Sequence, residues 1–451
     1  MNPKDTIQIQ GITRRDFVKA ASLTAGGLMF GSLPISSSAY AAGNGKIKVA
    51  LVGCGGRGTG AAFNALAAGE DIQLVAMADI FEDRLTESFG HLSQRYGDSE
   101  QLNVPDEHKF IGFDGYKHAI DQADVVLHAT PPGERPKHFR YAVEQGKHVF
   151  MEKPVATDAP GVRSVLESGK IAREKQLNVV IGLQRRYQDN YRETLRRIHN
   201  NQVGEIMGGQ VYWNQGELWV NRRQPDQSEL EYQMRNWYHF VWICGDHNVE
   251  QHIHNIDVAN WFLGEYPVRA QGMGGREVRK GIEYPQIFDH HSVEYQYASG
   301  VVISSQCRQI PGCWNSVSES FQGTKGTLYT DGSNNAVLRD RNGNTLYDHD
   351  GEEDPNPYQQ EIDELFESIR RGNVINDTEI GAKATLSGIM GRMATYSGQM
   401  IEWDEALNAE QKLVPDYVDW DMTPPVVPDE NGRYPIAVPG QTDVLGPIAD
   451  R

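Results

Sequence analysis

The 451-residue sequence predicts an α/β amino-terminal domain built on a doubly wound parallel sheet, followed by an α+β domain with a large, open, mostly antiparallel sheet. Three observations predict it. Short apolar runs alternate with helix-length segments between residues 46 and 181. A glycine-rich turn joins the first run to the first helix. Beyond residue 200, strand-length runs recur with turns rather than helices between them.

Lys46–Val52 reads as the first strand and runs straight into Gly53-Cys54-Gly55-Gly56-Arg57-Gly58. A helix over Thr59–Ala68 follows, then a strand over Gln73–Ala78 that ends at Asp79. Gly53 permits the tight turn, and Gly55 lets backbone approach a pyrophosphate. Gly58 lets the helix pack close to the strand. The helix N-terminus then faces the phosphates, so the segment predicts a dinucleotide-binding Rossmann domain. Asp79, 21 residues past Gly58, is placed to accept hydrogen bonds from a ribose diol. A carboxylate there repels a 2′-phosphate, which favours NAD over NADP, although Arg57 and Arg84 leave NADP open.

The alternation continues with a strand over Asp124–Ala129 and a helix over Lys137–Gln145 stopped by Gly146. Then come a strand over His148–Met151, a helix over Pro160–Gln176 and a strand over Asn178–Ile181. In the second domain the expected strands are Gly209–Trp213, Ala270–Gly274, Ser292–Tyr297, Val301–Gln306 and Gly326–Thr330. Helices over Pro357–Arg371 and Gly381–Ile401 close the chain onto the first domain, and a Pro- and Asp-rich tail follows from Asp404. The expected domains are 43–182 and 183–403, with the tail at 404–451.

Residues 1–42 differ from the rest. Thr13-Arg14-Arg15-Asp16-Phe17 precedes a mildly apolar run from Ala20 to about Pro34, and small residues close it at Ala39-Tyr40-Ala41. This resembles a twin-arginine export signal cleaved after Ala41, which implies a periplasmic protein exported already folded. An exported dehydrogenase is expected to hold its dinucleotide tightly and recycle it within one catalytic cycle. The apolar run is short for a membrane span, and no later stretch reads as one. The net charge of −18 opposes binding to nucleic acid or to an anionic membrane, and points to a small-molecule ligand. Cys54, Cys244, Cys307 and Cys313 form no CxxC pair and are expected to be reduced.

Further motifs carry a family resemblance. Ala129-Thr130-Pro131-Pro132, His138, Gly146-Lys147-His148-Val149, Glu152-Lys153-Pro154 and Gly182-Leu183-Gln184-Arg185-Arg186-Tyr187 stand in order. Together they resemble the glucose–fructose oxidoreductase/inositol dehydrogenase/MocA-like family over residues 46–400. The resemblance implies a cofactor site lined by Gly53, Gly55, Gly56, Arg57, Gly58, Asp79, Thr130, Pro131, His138, Glu152, Lys153, Gln184 and Arg186. Gln184 replaces the family's usual Asn. Lys153 is implied to point in beside the nicotinamide, where an ammonium stabilises a forming alkoxide. The peptide before Pro154 is often cis in relatives.

Asp246 to Asp257 (DHNVEQHIHNID), followed by Trp261, fits a helical period and puts Glu250 and His254 on one face. It resembles the family's active-site helix, with His254 as acid/base and Glu250 one turn earlier, orienting the ring or binding another hydroxyl. His252 and His254 are two apart and diverge, unlike the ligand pair of a zinc helix, so no metal is expected. Asp289-His290-His291 opens a strand and reads as structural. The aromatic-rich stretch between these landmarks offers Trp213, Trp237 and Tyr238, with His247 beyond it, as sugar contacts. Equally, the stretch is a loop stapled onto the core or between subunits. The expected activity is oxidation of a sugar or polyol hydroxyl, in a homodimer or homotetramer. The alternative is an NAD-dependent glycosidase using transient C3 oxidation, with Tyr238, His247 or Glu217 as the extra base.

Overall fold

The computed structural model describes residues 45–447, and the expected export segment at 1–42 lies outside the described residues. The first sheet is β1 (Ile47–Val52), β2 (Ile72–Asp79), β3 (Lys109–Ile111), β4 (Val125–His128), β5 (His148–Met151) and β6 (Val179–Ile181). All its pairs are parallel, in the order β3-β2-β1-β4-β5-β6. Strands β4 and β6 are buried throughout because helices cover both faces, which is why they read as unbroken apolar runs. The strand order reverses between β1 and β4. In open parallel sheets ligands bind beyond the carboxyl ends of the strands at such a reversal.

The sequence left residues 80–123 unassigned, and the structure fills them with a helix over Glu82–Tyr96, strand β3 and a helix over Gly115–Asp121. The signal was weak for a physical reason. The first of these helices buries only Leu85, Ser88 and Leu92, and β3 is three residues long.

The second sheet is β7 (Ile206–Gln215), β8 (Pro267–Gly275), β9 (His290–Tyr297), β10 (Val302–Gln309), β11 (Ser316–Gly323), β12 (Gly326–Asp331), β13 (Ala336–Asp340), β14 (Thr345–His349) and β15 (Ile401–Glu402). Its order is β14-β13-β12-β11-β7-β10-β9-β8-β15, antiparallel except for the β7–β10 pair. Strand β11 escaped the sequence reading because its buried positions include Ser318 and Glu319 as well as Phe321.

Two helices knit the halves together. Along the helix Pro357–Arg371, Ile362, Leu365, Phe366 and Ile369 share a core with Val49, Leu51, Ala61 and Ala65 of the first domain. The helix Thr378–Ser397 has 17 of its 20 residues buried and so has no solvent face. It lies against the helix Ala159–Glu174 and strand β8.

The aromatic stretch is largely stapled down. Leu230, Tyr232, Met234, Phe240, Trp242 and Ile243 form a separate core with Val418 and Tyr434 of the tail. Ile80, Phe81 and Phe113 pack against it from the first domain. Burying a side chain of that size stabilises by about 1.5–3 kcal/mol, so this cluster suffices to fix a tail that has little regular structure.

Candidate functional site

The glycine turn forms a cradle. Gly53 has φ +95°, and a Cβ there would sit 2.6 Å from the carbonyl carbon of Ala129, so only glycine fits. A Cβ on Gly58 would fall 1.9 Å from the Gly53 oxygen, which brings the helix Gly56–Ala67 hard against the turn. At Gly55 and Gly56, by contrast, a Cβ would meet nothing within 4 Å. Gly55 begins the helix with no side-chain cap, leaving its first N–H groups for an anion. Open space, an uncapped helix start and backbone donors together fit a dinucleotide pyrophosphate.

Asp79 buttresses this cradle. One carboxylate oxygen accepts from the Cys54 N–H at 2.7 Å and the other from the Phe81 N–H at 2.9 Å. Burial raises its pKa, while those two donors pull it down. Arg57 points away from Asp79, pairing with Glu152 and, at 3.4 Å, with Glu361 of the helix Pro357–Arg371. Its guanidinium also lies 4.6 Å from the Tyr358 ring centre. Arg84 reaches Glu87 at 3.5 Å. Thr130 Oγ1 lies 2.8 Å from His128 Nε2, and Pro131 leads into a short helical turn. His138 is buried behind them, 3.1 Å from His128 and stacked at 3.8 Å on Tyr116. Burial holds both imidazoles well below the usual histidine value, so they are neutral.

Beyond the end of β5, the Lys153–Pro154 peptide is cis. Lys153 Nζ donates to the Glu250 main-chain oxygen at 2.6 Å and to its carboxylate at 3.0 Å. Both side chains are nearly buried, at 13% and 12% exposure, so the pair is weakly screened. His254 lies close by. Burial, then the Lys153 and Arg185 charges, hold its imidazole well below the usual value, so it is a neutral base at pH 7. Its Nδ1 is buried with no hydrogen-bond partner among the described residues. Trp213 of β7 stacks 5.7 Å from the His254 ring, and the Arg185 guanidinium lies 5.6 Å from the Trp213 ring centre.

The helix bearing these groups is broken. It runs over His247–Glu250 and again over Ile253–Leu263, with Gln251 and His252 between. The expected single helical face for Glu250 and His254 is therefore interrupted, and Glu250 turns to Lys153. In the second segment nine of eleven residues are buried.

Other expected residues are placed less centrally. Arg186 makes a two-pronged pair with Asp257 at 2.8 Å for each bond, and Gln184 is buried with its Oε1 unpartnered among the described residues. Tyr238 is buried with its hydroxyl 3.1 Å from Gln309 Nε2, and burial, then Glu250, push its phenol well above the usual value. Trp237 is partly buried, edge-on to Tyr238 at 5.4 Å. His247 is buried beside Asp246 and His291. Sequence reasoning missed Arg185, which pairs with the buried Glu319 of β11 and borders Trp213. Its neighbour Arg186 drew the attention, and no local signal marks Glu319 as its partner.

Two family models match the chain. One, described as an oxidoreductase family with an NAD-binding Rossmann fold, covers residues 47–183. The other, the C-terminal alpha/beta domain of that oxidoreductase family, covers residues 173–409. An inositol 2-dehydrogenase from Rhizobium meliloti is 26% identical over 196 residues, 43% of this chain and about half (53%) of its own length. A glycosyl hydrolase family 109 protein from Solibacter usitatus is 30% identical over 150 residues, 32% of this chain and 33% of that protein. Among solved structures, scyllo-inositol dehydrogenase from Lactobacillus casei with bound NAD(H) and scyllo-inositol superposes with a TM-score of 0.60 at 17% identity. That match covers 80% of this chain and 99% of the other, and it shows a shared fold.

Proposed function

The chain belongs to the Gfo/Idh/MocA oxidoreductase family, and from that premise we propose that it oxidises a secondary hydroxyl of a sugar or polyol with a tightly held NAD. One observation carries the reading. A nearly buried ammonium lies within electrostatic reach of a neutral histidine, in a chain whose glycine turn leaves an open phosphate cradle. Bound in that cradle, the dinucleotide supplies the acceptor for the carbinol hydride.

The chain's own residues do the rest. A carbinol gives up hydride readily only as its hydroxyl proton leaves. His254 is neutral and takes that proton. Lys153 holds the oxygen as negative charge grows on it, an interaction stronger in the transition state than before it. Glu250 positions the ammonium through its carbonyl and carboxylate. Trp213, stacked by His254 and only partly buried, offers a flat face to a sugar ring.

NAD rather than NADP is favoured because Asp79 stands at the end of β2 while Arg57 is held by two glutamates. Tight retention is supported by the tail. Trp420 packs 5.6 Å from Phe81 and 4.8 Å from Phe113, just past Asp79, and Arg235 ties down Asp83 at 2.9 and 3.0 Å. Retention suits the periplasmic location that we propose from the twin-arginine segment. The bare outer face of the second sheet, exposing Met273, Val302 and Tyr329, supports assembly as a homodimer or homotetramer.

The similarity to the Solibacter protein favours a second reading, net hydrolysis of a glycoside by reversible oxidation. It ranks lower because Tyr238 and His247 are buried and Glu217 is exposed. A panel of polyols, aldoses and glycosides, followed by mass spectrometry of the products, tests the assignment. Keto products are expected, matched by reduction of a second, carbonyl-form sugar that takes the hydride back from the held cofactor, with turnover reduced about 10²–10³-fold in Lys153→Met. Cleaved glycoside without a keto product would select hydrolysis, and undiminished turnover in Lys153→Met would overturn the active-site assignment.

A further inference from the structure

A second cluster of donor groups lies behind the active-site helix. Asp246, His247 and His291 of β9 are each at most 2% exposed, and their donor atoms lie within 4.8 Å of one another. His291 Nε2 is 3.3 Å and His247 Nε2 is 3.8 Å from the same oxygen, Asp246 Oδ1. Both nitrogens are buried and have no hydrogen-bond partner among the described residues.

Thr395 Oγ1 lies 2.9 Å from His291 Nδ1 and 3.1 and 3.0 Å from the main-chain oxygens of Gly391 and Arg392, which holds the His291 ring with Nε2 toward Asp246. A single divalent cation satisfies all three groups at once. Ligands bound at about 2.0–2.2 Å around a tetrahedral ion lie about 3.3–3.6 Å apart, so the 3.3 Å contact already fits and the 3.8 Å contact must close by a few tenths of an ångström.

The surroundings are arranged for a ligand too. Oδ2 of Asp246 accepts from the Tyr396 hydroxyl and from the Phe288 N–H at 3.1 Å, and Oδ1 accepts the His247 N–H, so the carboxylate is fixed with one Oδ1 lone pair left toward the two imidazoles. The Thr395 contact orients the His291 ring as outer partners orient metal-bound imidazoles. Asp246 itself sits at φ +74° and ψ 158°, backbone space that is nearly glycine-only.

We propose that Asp246, His247 and His291 bind one zinc-type divalent cation, with water as the fourth ligand. The cation ties the start of the helix His247–Glu250 to strand β9, and so anchors the segment whose Glu250 holds Lys153. The proposal is independent of the oxidoreductase reading. Nor does it use His252 and His254, whose spacing argued against a metal.

The test begins with full-length folded protein, stripped with a chelator, incubated with zinc or cobalt(II) and gel-filtered. Elemental analysis is expected to find stoichiometric metal in wild type, and cobalt to give the intense visible absorption of a four-coordinate site. His247→Gln and His291→Gln are expected to lose at least nine-tenths of the metal while keeping a native near-ultraviolet circular dichroism spectrum. Folded wild type that retains no metal, or folded variants that retain as much as wild type, would overturn the proposal. The cobalt spectrum of wild type decides the matter even if neither variant folds.

Discussion

The two halves of the site are built differently. The cofactor half is made of backbone. Its glycine turn, uncapped helix start and buttressing Asp79 lie within 27 consecutive residues, 53–79. The substrate half is made of side chains brought together from distant points, with Lys153 meeting Glu250 across 97 residues and Arg185 meeting Glu319 across 134. Local chain geometry secures the first. Only the completed tertiary structure secures the second. Substitutions in the two halves should therefore fail in different ways.

The largest expected effect lies within the cradle itself. Gly58→Ala forces a Cβ to within 1.9 Å of a backbone oxygen and should destabilise the fold by on the order of 3 kcal/mol or more. Gly55→Ala meets no protein atom and should leave Tm unchanged while weakening NAD binding. Thermal melts with calorimetric titration separate the two, and equal Tm losses would deny that Gly55 faces ligand space.

In the substrate half, His254→Asn should lower kcat about 10²–10⁴-fold while leaving the melt unaltered. The pH profile sharpens this. Burial, Lys153 and Arg185 depress the folded pKa of His254, so the base remains unprotonated as pH falls through the ordinary histidine value of about 6.5. Turnover should hold level through that range and fall only at lower pH. A loss centred at the ordinary value would contradict a buried neutral base.

The buried pair His128–His138 gives a smaller effect, in stability rather than rate. Both folded pKa values are depressed, chiefly by burial. Above about pH 6.5 neither state binds the extra protons and stability is complete; below it the unfolded chain takes them up first. Urea denaturation should show stability falling as pH drops from about 6.5 to about 5, with the other buried neutral histidines adding to the loss, and His138→Gln should make that slope shallower by the pair's share. Smallest is Trp420→Ala. It removes the tail's contact with Phe81 and Phe113 and should speed NAD release about tenfold without changing the chemical step.

What the sequence made legible follows the same division. The run from Ile47 to Asp79 was readable because each role depends on a residue type at a fixed local spacing. The polar helix Glu82–Tyr96 and the polar strand β11 were not, since neither carries a clear apolar period. Lys153, Glu250 and His254 entered through family resemblance, but the contact between Lys153 and Glu250 depends on the break near His252, which no local rule marks. The burial of the aromatic stretch was equally hidden, because its partners Val418 and Tyr434 lie in a tail with little periodicity of its own.

The central claim is that this chain carries a bound dinucleotide and uses it against a hydroxyl. Its most direct test is to denature the purified protein, without added cofactor, and quantify what is released. The account predicts stoichiometric NAD(H) and little NADP(H). Protein that releases no dinucleotide and takes up none when NAD is supplied would contradict it.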